Sequence, residues 1–557
     1  MQPKESLPLT QFHDWYNNEH GPTRLRLPFI PNGFRYRATD LPDINSGSQS
    51  LPEWMACYDI TDMYELTQEP YMRLRGPPAK SQREIDTMKQ IFVDRKLLDL
   101  VGEDVNQEQF SQLESPHNFD KNAEGNVLVA VSLVVDSSVK PQVDKWYSES
   151  EIPKIKAFPG WRRTRRYTTS HIEARTDGKV EYLTIHEFIP GTDANKLDIS
   201  KTASFDITEA KVRNYTLVYT FGAAPRHLSG ITSWTSTDGL TKTIPSTSPG
   251  FGAAIESYVT TPDNCILPYR LEGNTSNPDS PVIVLVNSVL VTYGIWDSFI
   301  SHFFSHAPNR KYRVLRYLSR GRSSNTGATT PVTVNLLSSD IIHLLNTLRI
   351  PTAACLIGVS LGGATALATA LTHPSRIQSF ISCDTSAKSP AGNSEAWGSR
   401  IAVAEKQGST ANLISPFGDQ SPSAPAEPIV GTELAEMTVR RWFAPTSYED
   451  PALTSEFARV KHMVTTNSLP GFKKGVEALF DYDYKPLLPG YTGKGAFLVG
   501  AKDGVLPKAM EALSKELGTS NSVKVGFQIV DDAGHLPMCE KPGVVADYVT
   551  RFLEDDY

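Results

Sequence analysis

In the second half of the chain the apolar residues gather into short unbroken runs: VIVLVN from Val282, YRVLRY from Tyr312, AACLIG from Ala353 and IQSFISC from Ile377. Runs of this kind, without a polar residue at every second place, suit strands buried on both faces. Amphipathic stretches such as VNLLSSDIIHLLNTL separate them, with apolar residues at helical spacing. The alternation predicts an α/β domain with a mostly parallel sheet over residues 251–557. The first half is patterned differently. FHDWYNNEHGPTRLRLPFIPNGFRYR near the start is echoed by VDKWYSESEIPKIKAFPGWRRTRRY, with Trp15-Tyr16 matching Trp146-Tyr147, Pro22 matching Pro153 and Gly33-Phe34-Arg35 matching Gly160-Trp161-Arg162. Each block continues into a strand-like run, EWMACYDIT or EYLTIHEFI, and the second is preceded by NVLVAVSLVV from Asn126. The order strand, helix, strand, strand, helix, strand predicts two ferredoxin-like α+β units, 1–115 and 116–227, paired as a tandem barrel. Met1–Leu9 is too short and polar for the opening strand of the first unit. Residues 228–250, crowded with Ser, Thr, Gly and Pro, read as a linker.

Composition narrows the classes. At 557 residues the chain exceeds what one core serves. With 55 basic against 62 acidic residues, its net charge of −7 argues against nucleic acid or an anionic membrane as partner. The cluster Arg162, Arg163, Arg165 and Arg166 is expected to be a basic strand face or a set of paired arginines. The five cysteines are scattered without metal-ligand spacing, MQPKESLPLTQ has no apolar signal core, and no run is long enough to span a bilayer. A cytoplasmic location is expected, with no metal or cofactor.

The chemistry is carried by CLIGVSLGGATALATA from Cys355. A short strand and a strong helix former leave Gly358-Val359-Ser360-Leu361-Gly362 as the turn between them. So tight a turn strains Ser360 and needs glycine two places to either side. A serine hydroxyl is a weak nucleophile, so it needs an imidazole to take its proton and an acid to orient that imidazole. His535 in AGHLPMCEKP, after the apolar run VKVGFQIV, is the expected base. Asp503 in GAFLVGAKDGVLP is the expected acid, with Asp384 in FISCDTSA as its rival. The backbone N–H of Leu361 is one expected oxyanion donor, and the loop after VIVLVN should supply the second.

Two resemblances follow from these residues. WYNNEHGP and WYSESEIP, each followed by Gly-aromatic-Arg, resemble the EthD-like proteins of the dimeric α+β barrel superfamily. That resemblance implies either assembly through the barrel, with a homo-oligomer as a candidate, or cofactor-free chemistry using His13, His20, Tyr16 or Tyr36. The order Ser360, Asp503, His535 is that of the α/β-hydrolase fold. VNSVLVTYGIWDSF, NSEAWGSRIA, MTVRRWFAP and AGHLPMCEKP are similar to its 3-oxoadipate enol-lactonase branch. This implies a serine hydrolase acting on a small-molecule ester or lactone, with Val289 as the second oxyanion donor and a cap over 385–487. Cleavage of a carbon–carbon bond in a β-dicarbonyl compound is the close alternative. Trp296, Trp397, Arg400, Arg441, Trp442 and Phe443 are candidates to line the pocket, and Arg400 could hold a substrate carboxylate. The sequence departs from the branch at Arg316-Tyr317-Leu318-Ser319-Arg320-Gly321-Arg322-Ser323-Ser324, which lacks an aspartate, a histidine and a glycine typical there.

Overall fold

Two compact units divide the chain, Met1–Ala223 and Ala224–Tyr557. The computed structural model describes residues 1–41, 51–108, 125–173, 177–197, 205–228, 233–245, 253–414, 419–420 and 424–555.

Both N-terminal repeats fold their Trp-Tyr segments alike. Helix Leu9–Trp15 passes through a π-helical turn, Tyr16–His20, into Gly21–Leu25, and Lys140–Trp146 passes through Tyr147–Glu151 into Ile152–Lys156. A strand follows in each case, Asn32–Ala38 or Trp161–Thr169. The strands of the two repeats join one seven-stranded antiparallel sheet. Its order is Trp54–Asp59, Asn32–Ala38, Glu209–Thr220, Val127–Asp136, Lys179–Phe188, Trp161–Thr169, Leu98–Val105. The start of the chain supplies only Gln2–Pro3, paired with Ile91–Phe92. The two matched tryptophans differ: Trp15 is buried and donates to Glu84 at 2.8 Å, whereas Trp146 is half-buried against Tyr147 and Phe205. Two of the clustered arginines are ion-paired to one carboxylate. Arg163 and Arg165 reach the buried Glu187 at 2.8 and 3.0 Å, and Arg165 also reaches Asp59 at 3.2 Å.

The C-terminal unit is built on ten strands in the order Trp234–Thr235, Lys242–Ile244, Ala254–Thr260, Ile266–Gly273, Arg313–Tyr317, Val282–Val286, Cys355–Val359, Ser379–Cys383, Lys494–Gly500, Val525–Val530. The last six are parallel and the first four are antiparallel. The unbroken apolar runs are explained by burial on both faces. Ile283 and Leu285 enter one hydrophobic cluster, while Val282, Val284 and Val286 enter the other. Residues 228–250 are not simply a linker. Trp234–Thr235 and Lys242–Ile244 form a hairpin on the sheet edge, where Thr241 and Ser257 hydroxyls meet at 2.7 Å inside the fold. Between Cys383 and Lys494 the chain builds helices Asn393–Gln407, Thr432–Trp442, Thr454–Thr465 and Leu469–Gly475 and a small three-stranded sheet. All five cysteines are free. Among the described residues, no helix is long and apolar enough to cross a membrane.

Candidate active site

Ser360 stands between strand Cys355–Val359 and helix Leu361–Thr372 with φ 59° and ψ −121°. A non-glycine residue occupies this left-handed region at a cost, and such strain clusters where a side chain must be presented. The turn closes because its glycines have no side chains. A Cβ on Gly358 would lie 2.0 Å from the Gly362 carbonyl oxygen, and one on Gly362 would lie 2.3 Å from that of Val286. The Ser360 N–H donates to the Cys383 carbonyl at 2.9 Å, fixing the turn to the neighbouring strand.

His535 follows strand Val525–Val530 and Asp503 follows Lys494–Gly500. Their contact is short, with His535 Nδ1 2.7 Å from Asp503 Oδ2. A carboxylate there accepts a hydrogen bond from Nδ1–H, so the lone pair falls on Nε2, which has no hydrogen bond among the described residues. Asp384 also reaches this cluster. One oxygen of Asp384, one of Asp503 and one ring nitrogen of His535 lie within 4.8 Å of one another. The acid bonded to the imidazole is nevertheless Asp503.

Val289 and Leu361 border one small cavity of 20 Å³, together with Asn287, Ser288, Ser319 and Arg322. Below it, Asn287 donates to the Tyr317 carbonyl at 2.6 Å and accepts from the Trp296 indole at 3.1 Å. Trp296 is therefore a fully buried support of the loop and not a wall of the pocket. Its indole N–H is spent on Asn287.

Trp442, at the end of helix Thr432–Trp442, stacks on His535 with ring centroids 5.7 Å apart and planes at 28°. The Trp442 carbonyl accepts the His535 N–H at 2.6 Å. Phe443 is buried edge-on to Phe457. Trp397 is almost buried, and the guanidinium groups of Arg400 and Arg441 lie 4.5 and 5.8 Å from its ring centroid. Neither arginine has a hydrogen bond or ion pair among the described residues. Burial, then the charge of Arg400, lowers the Arg441 pKa to about 10, with Asp503 acting the other way.

Two residues matter more than their sequence setting suggested. Glu540 is buried and accepts from Ala444 N–H at 2.8 Å, Ser447 Oγ at 2.6 Å and Gly534 N–H at 2.7 Å. It ties the residue before His535 to the segment after Trp442. Burial raises its pKa, and those three donors pull it partly back. Arg322, where the branch typically has histidine, binds Thr466 Oγ1 at 2.8 Å and Asn467 Oδ1 at 3.3 Å, anchoring its loop to the end of helix Thr454–Thr465. In the N-terminal unit, His13 lies 2.7 Å from Arg35 and His20 lies 3.0 Å from Glu84. Burial raises the phenol pKa values of Tyr16 and Tyr36.

The alpha/beta hydrolase family matches residues 283–548. The chain is similar to 3-oxoadipate enol-lactonase 2 of Acinetobacter baylyi, with 28% identity over 227 residues that make up 41% of this chain and 73% of the relative. Solved structures that resemble it include the enol-lactonase from Burkholderia xenovorans, at 24% identity and TM-score 0.43, covering 53% of this chain and 99% of that one. A thermophilic esterase from Thermogutta terrifontis aligns at 22% identity and TM-score 0.43, covering 54% and 98%. The C-terminal part thus has the α/β-hydrolase fold and is similar to 3-oxoadipate enol-lactonase, and the chain is an enzyme of this type.

Proposed function

We propose that this α/β-hydrolase enzyme cleaves an ester or lactone of a small organic or aromatic-derived acid by passing the acyl group through Ser360 to water. The observation that carries the reading is the 2.7 Å contact between His535 Nδ1 and Asp503 Oδ2, which leaves Nε2 as a base. His535 takes the Ser360 proton as Oγ attacks the carbonyl carbon, and the N–H groups of Leu361 and Val289 receive the oxyanion. The imidazolium then protonates the leaving oxygen. In the second half His535 activates water and Ser360 leaves. Asp503 keeps the ring in the productive tautomer and balances its transient charge.

The cap favours a substrate with an anionic end. Arg400, half-buried, and Arg441, exposed, flank Trp397 without an ion-pair partner among the described residues, and a half-buried guanidinium such as that of Arg400 is costly unless a ligand supplies the charge. An aryl or enol ring against Trp397 and a carboxylate between the arginines fit that arrangement. The name of the Acinetobacter relative, an enol-lactonase, agrees with it.

For the N-terminal unit, the reading is two ferredoxin-like units sharing one sheet, with an assembly role. It is supported by the order Glu209–Thr220, Val127–Asp136, Lys179–Phe188, Trp161–Thr169, in which the fourth, first, third and second strands of the second repeat lie side by side. The edge strand Leu98–Val105 exposes Leu100 and Val101. Light scattering that gives a monomer at all concentrations refutes the assembly role.

A fluorophosphonate should label Ser360, and the full chain should hydrolyse members of a panel of aryl esters and enol-lactones. Wild-type turnover by Ser360→Ala would end the hydrolase reading. Turnover confined to β-diketones added to that panel would move the bond broken to carbon–carbon.

A further inference from the structure

We infer that Asp384 is a protonated acid that donates a hydrogen bond to ionised Asp503, so that the two carboxyls form one singly charged unit holding the acid arm of the triad in place. The inference rests on the reading of Ser360, His535 and Asp503 given above, and it assigns Asp384 a positioning role.

Asp384 directly follows strand Ser379–Cys383 and is 1% exposed. Its φ is 44°, a left-handed value, so the chain accepts strain to aim this side chain inward. Its N–H donates to the Leu498 carbonyl at 3.1 Å, and the Cys383 carbonyl just before it holds the Ser360 N–H. Asp384 is thereby pinned between the strand of the nucleophile and the strand of the acid. One of its oxygens, Oδ1, accepts the Gly500 N–H at 2.9 Å. The other, Oδ2, meets no donor among the described residues. A buried carboxylate oxygen without a donor is expensive, but a carboxylic acid O–H facing an anion is a strong arrangement.

The neighbour that can accept such a bond is Asp503, one of whose oxygens lies within 4.8 Å of an Asp384 oxygen. Two carboxylates so close cannot both stay ionised, and the proton goes to the one worse placed to carry charge. That one is Asp384. Asp503 is 16% exposed at its side chain and accepts the hydrogen bond of His535 Nδ1–H, while Asp384 is fully buried with a single backbone donor. The other groups facing the pair act in the same sense. Glu540 repels charge on Asp384, Arg441 favours charge on Asp503, and the adjacent Cys383 thiol is itself kept neutral by burial. Burial first, and then the Asp503 charge, raise the Asp384 pKa well above the ordinary carboxyl range. The sequence offered Asp384 and Asp503 as rivals for one role, and the geometry makes them partners.

The test uses the full chain as wild type, Asp384→Asn, Asp384→Leu and Asp503→Asn. Infrared difference spectra at pH 7, wild type minus Asp384→Asn, should contain a carboxylic-acid C=O band, and this readout needs no substrate. On any ester the wild type turns over, Asp384→Asn, whose amide can still donate to Asp503, should stay within about threefold of wild-type kcat, whereas Asp384→Leu should lose about tenfold or more with one charge-assisted bond. Asp503→Asn should lose about 10⁴-fold. Absence of the band, or a fall in Asp384→Asn as deep as that in Asp503→Asn, overturns the proposal. Should no substrate be found, the hydrolase reading suffers and the infrared band still decides the protonation of Asp384.

Discussion

Replacing Glu540 with alanine should detach the loop of His535 from the cap. The carboxylate accepts three hydrogen bonds of 2.6 to 2.8 Å from Ser447, Gly534 and Ala444. In Glu540→Ala the Ser447 hydroxyl can turn elsewhere, but the N–H groups of Gly534 and Ala444 are left buried without a partner. Each costs about 1–3 kcal/mol, so a loss near 4 kcal/mol is expected. At about 2 °C per kcal/mol for a unit of this size, the C-terminal transition should fall by roughly 8 °C. Glu540→Gln keeps one acceptor oxygen and turns an amide N–H₂ toward a donor, so about half that loss is expected. Because Gly534 precedes His535, whose N–H is held by the Trp442 carbonyl, kcat should drop at temperatures far below the melt, while a surface change such as Glu511→Ala should leave it alone. Thermal melts followed by circular dichroism, paired with turnover of an aryl ester, measure both effects. A Glu540→Ala protein that melts within a degree of wild type would refute the reasoning.

Gly362→Ala should abolish turnover, since its Cβ would fall 2.3 Å from the Val286 carbonyl oxygen, whereas Gly398→Ala, in helix Asn393–Gln407 with nothing within 4 Å, should raise stability by about 0.5–1 kcal/mol. Arg400→Ala with Arg441→Ala should raise KM for an ester bearing a carboxylate at least about tenfold and spare its neutral analogue, read from initial rates. A fragment beginning at Ala224 keeps the hairpin Trp234–Ile244 on its sheet edge and should melt higher than one beginning at Ala253. The N-terminal unit should weaken in acid. Burial and Arg24 lower the His20 pKa, so stability begins to fall as pH drops below about 6.5. Burial alone would raise the Glu84 pKa, but His20, Arg24 and the Trp15 hydrogen bond outweigh it and bring it well down, so a further loss follows as pH falls below about 4.3. Glu84→Gln should melt lower at pH 7 and show a flatter fall below pH 5.

The parallel sheet was legible because its strands are buried on both faces, which forces apolar residues at consecutive positions and leaves a pattern no surface strand has. The turn at Ser360 was legible for a related reason, as glycines at 358 and 362 are demanded by contacts within a few residues or one strand away. The hairpin at 234–244 was hidden. Its strands are very short, and Ser, Thr and Gly serve a solvated sheet edge as well as they serve a linker. That Trp15 is buried while its match Trp146 is half-buried was not legible, because Trp15 is held by Glu84 on helix Gln82–Met88, far along the chain.

The same distinction runs through the site. His535, Asp503 and Ser360 each sit at the C-terminal end of a strand, where local pattern betrays them. What sets their geometry comes from elsewhere: Glu540 from the helix after the histidine, Trp442 from the cap, Arg322 from the loop after Arg313–Tyr317, Asp384 from the strand between nucleophile and acid. None of these makes or breaks a bond, so none has a spacing that chemistry imposes. The cap is bound to the loop of His535 through the Trp442 carbonyl and the Glu540 clamp, and to the loop at 320–323 through Arg322. The loop that departs from the enol-lactonase pattern is therefore also a cap anchor, and substitution there changes how the roof is held. Arg322→His should accordingly shift KM more than kcat, because Thr466 and Asn467 lose their guanidinium while the His535–Asp503 contact is untouched. Steady-state kinetics with a carboxylate-bearing and a neutral ester separate the two parameters, and a loss confined to kcat would place Arg322 with the triad instead.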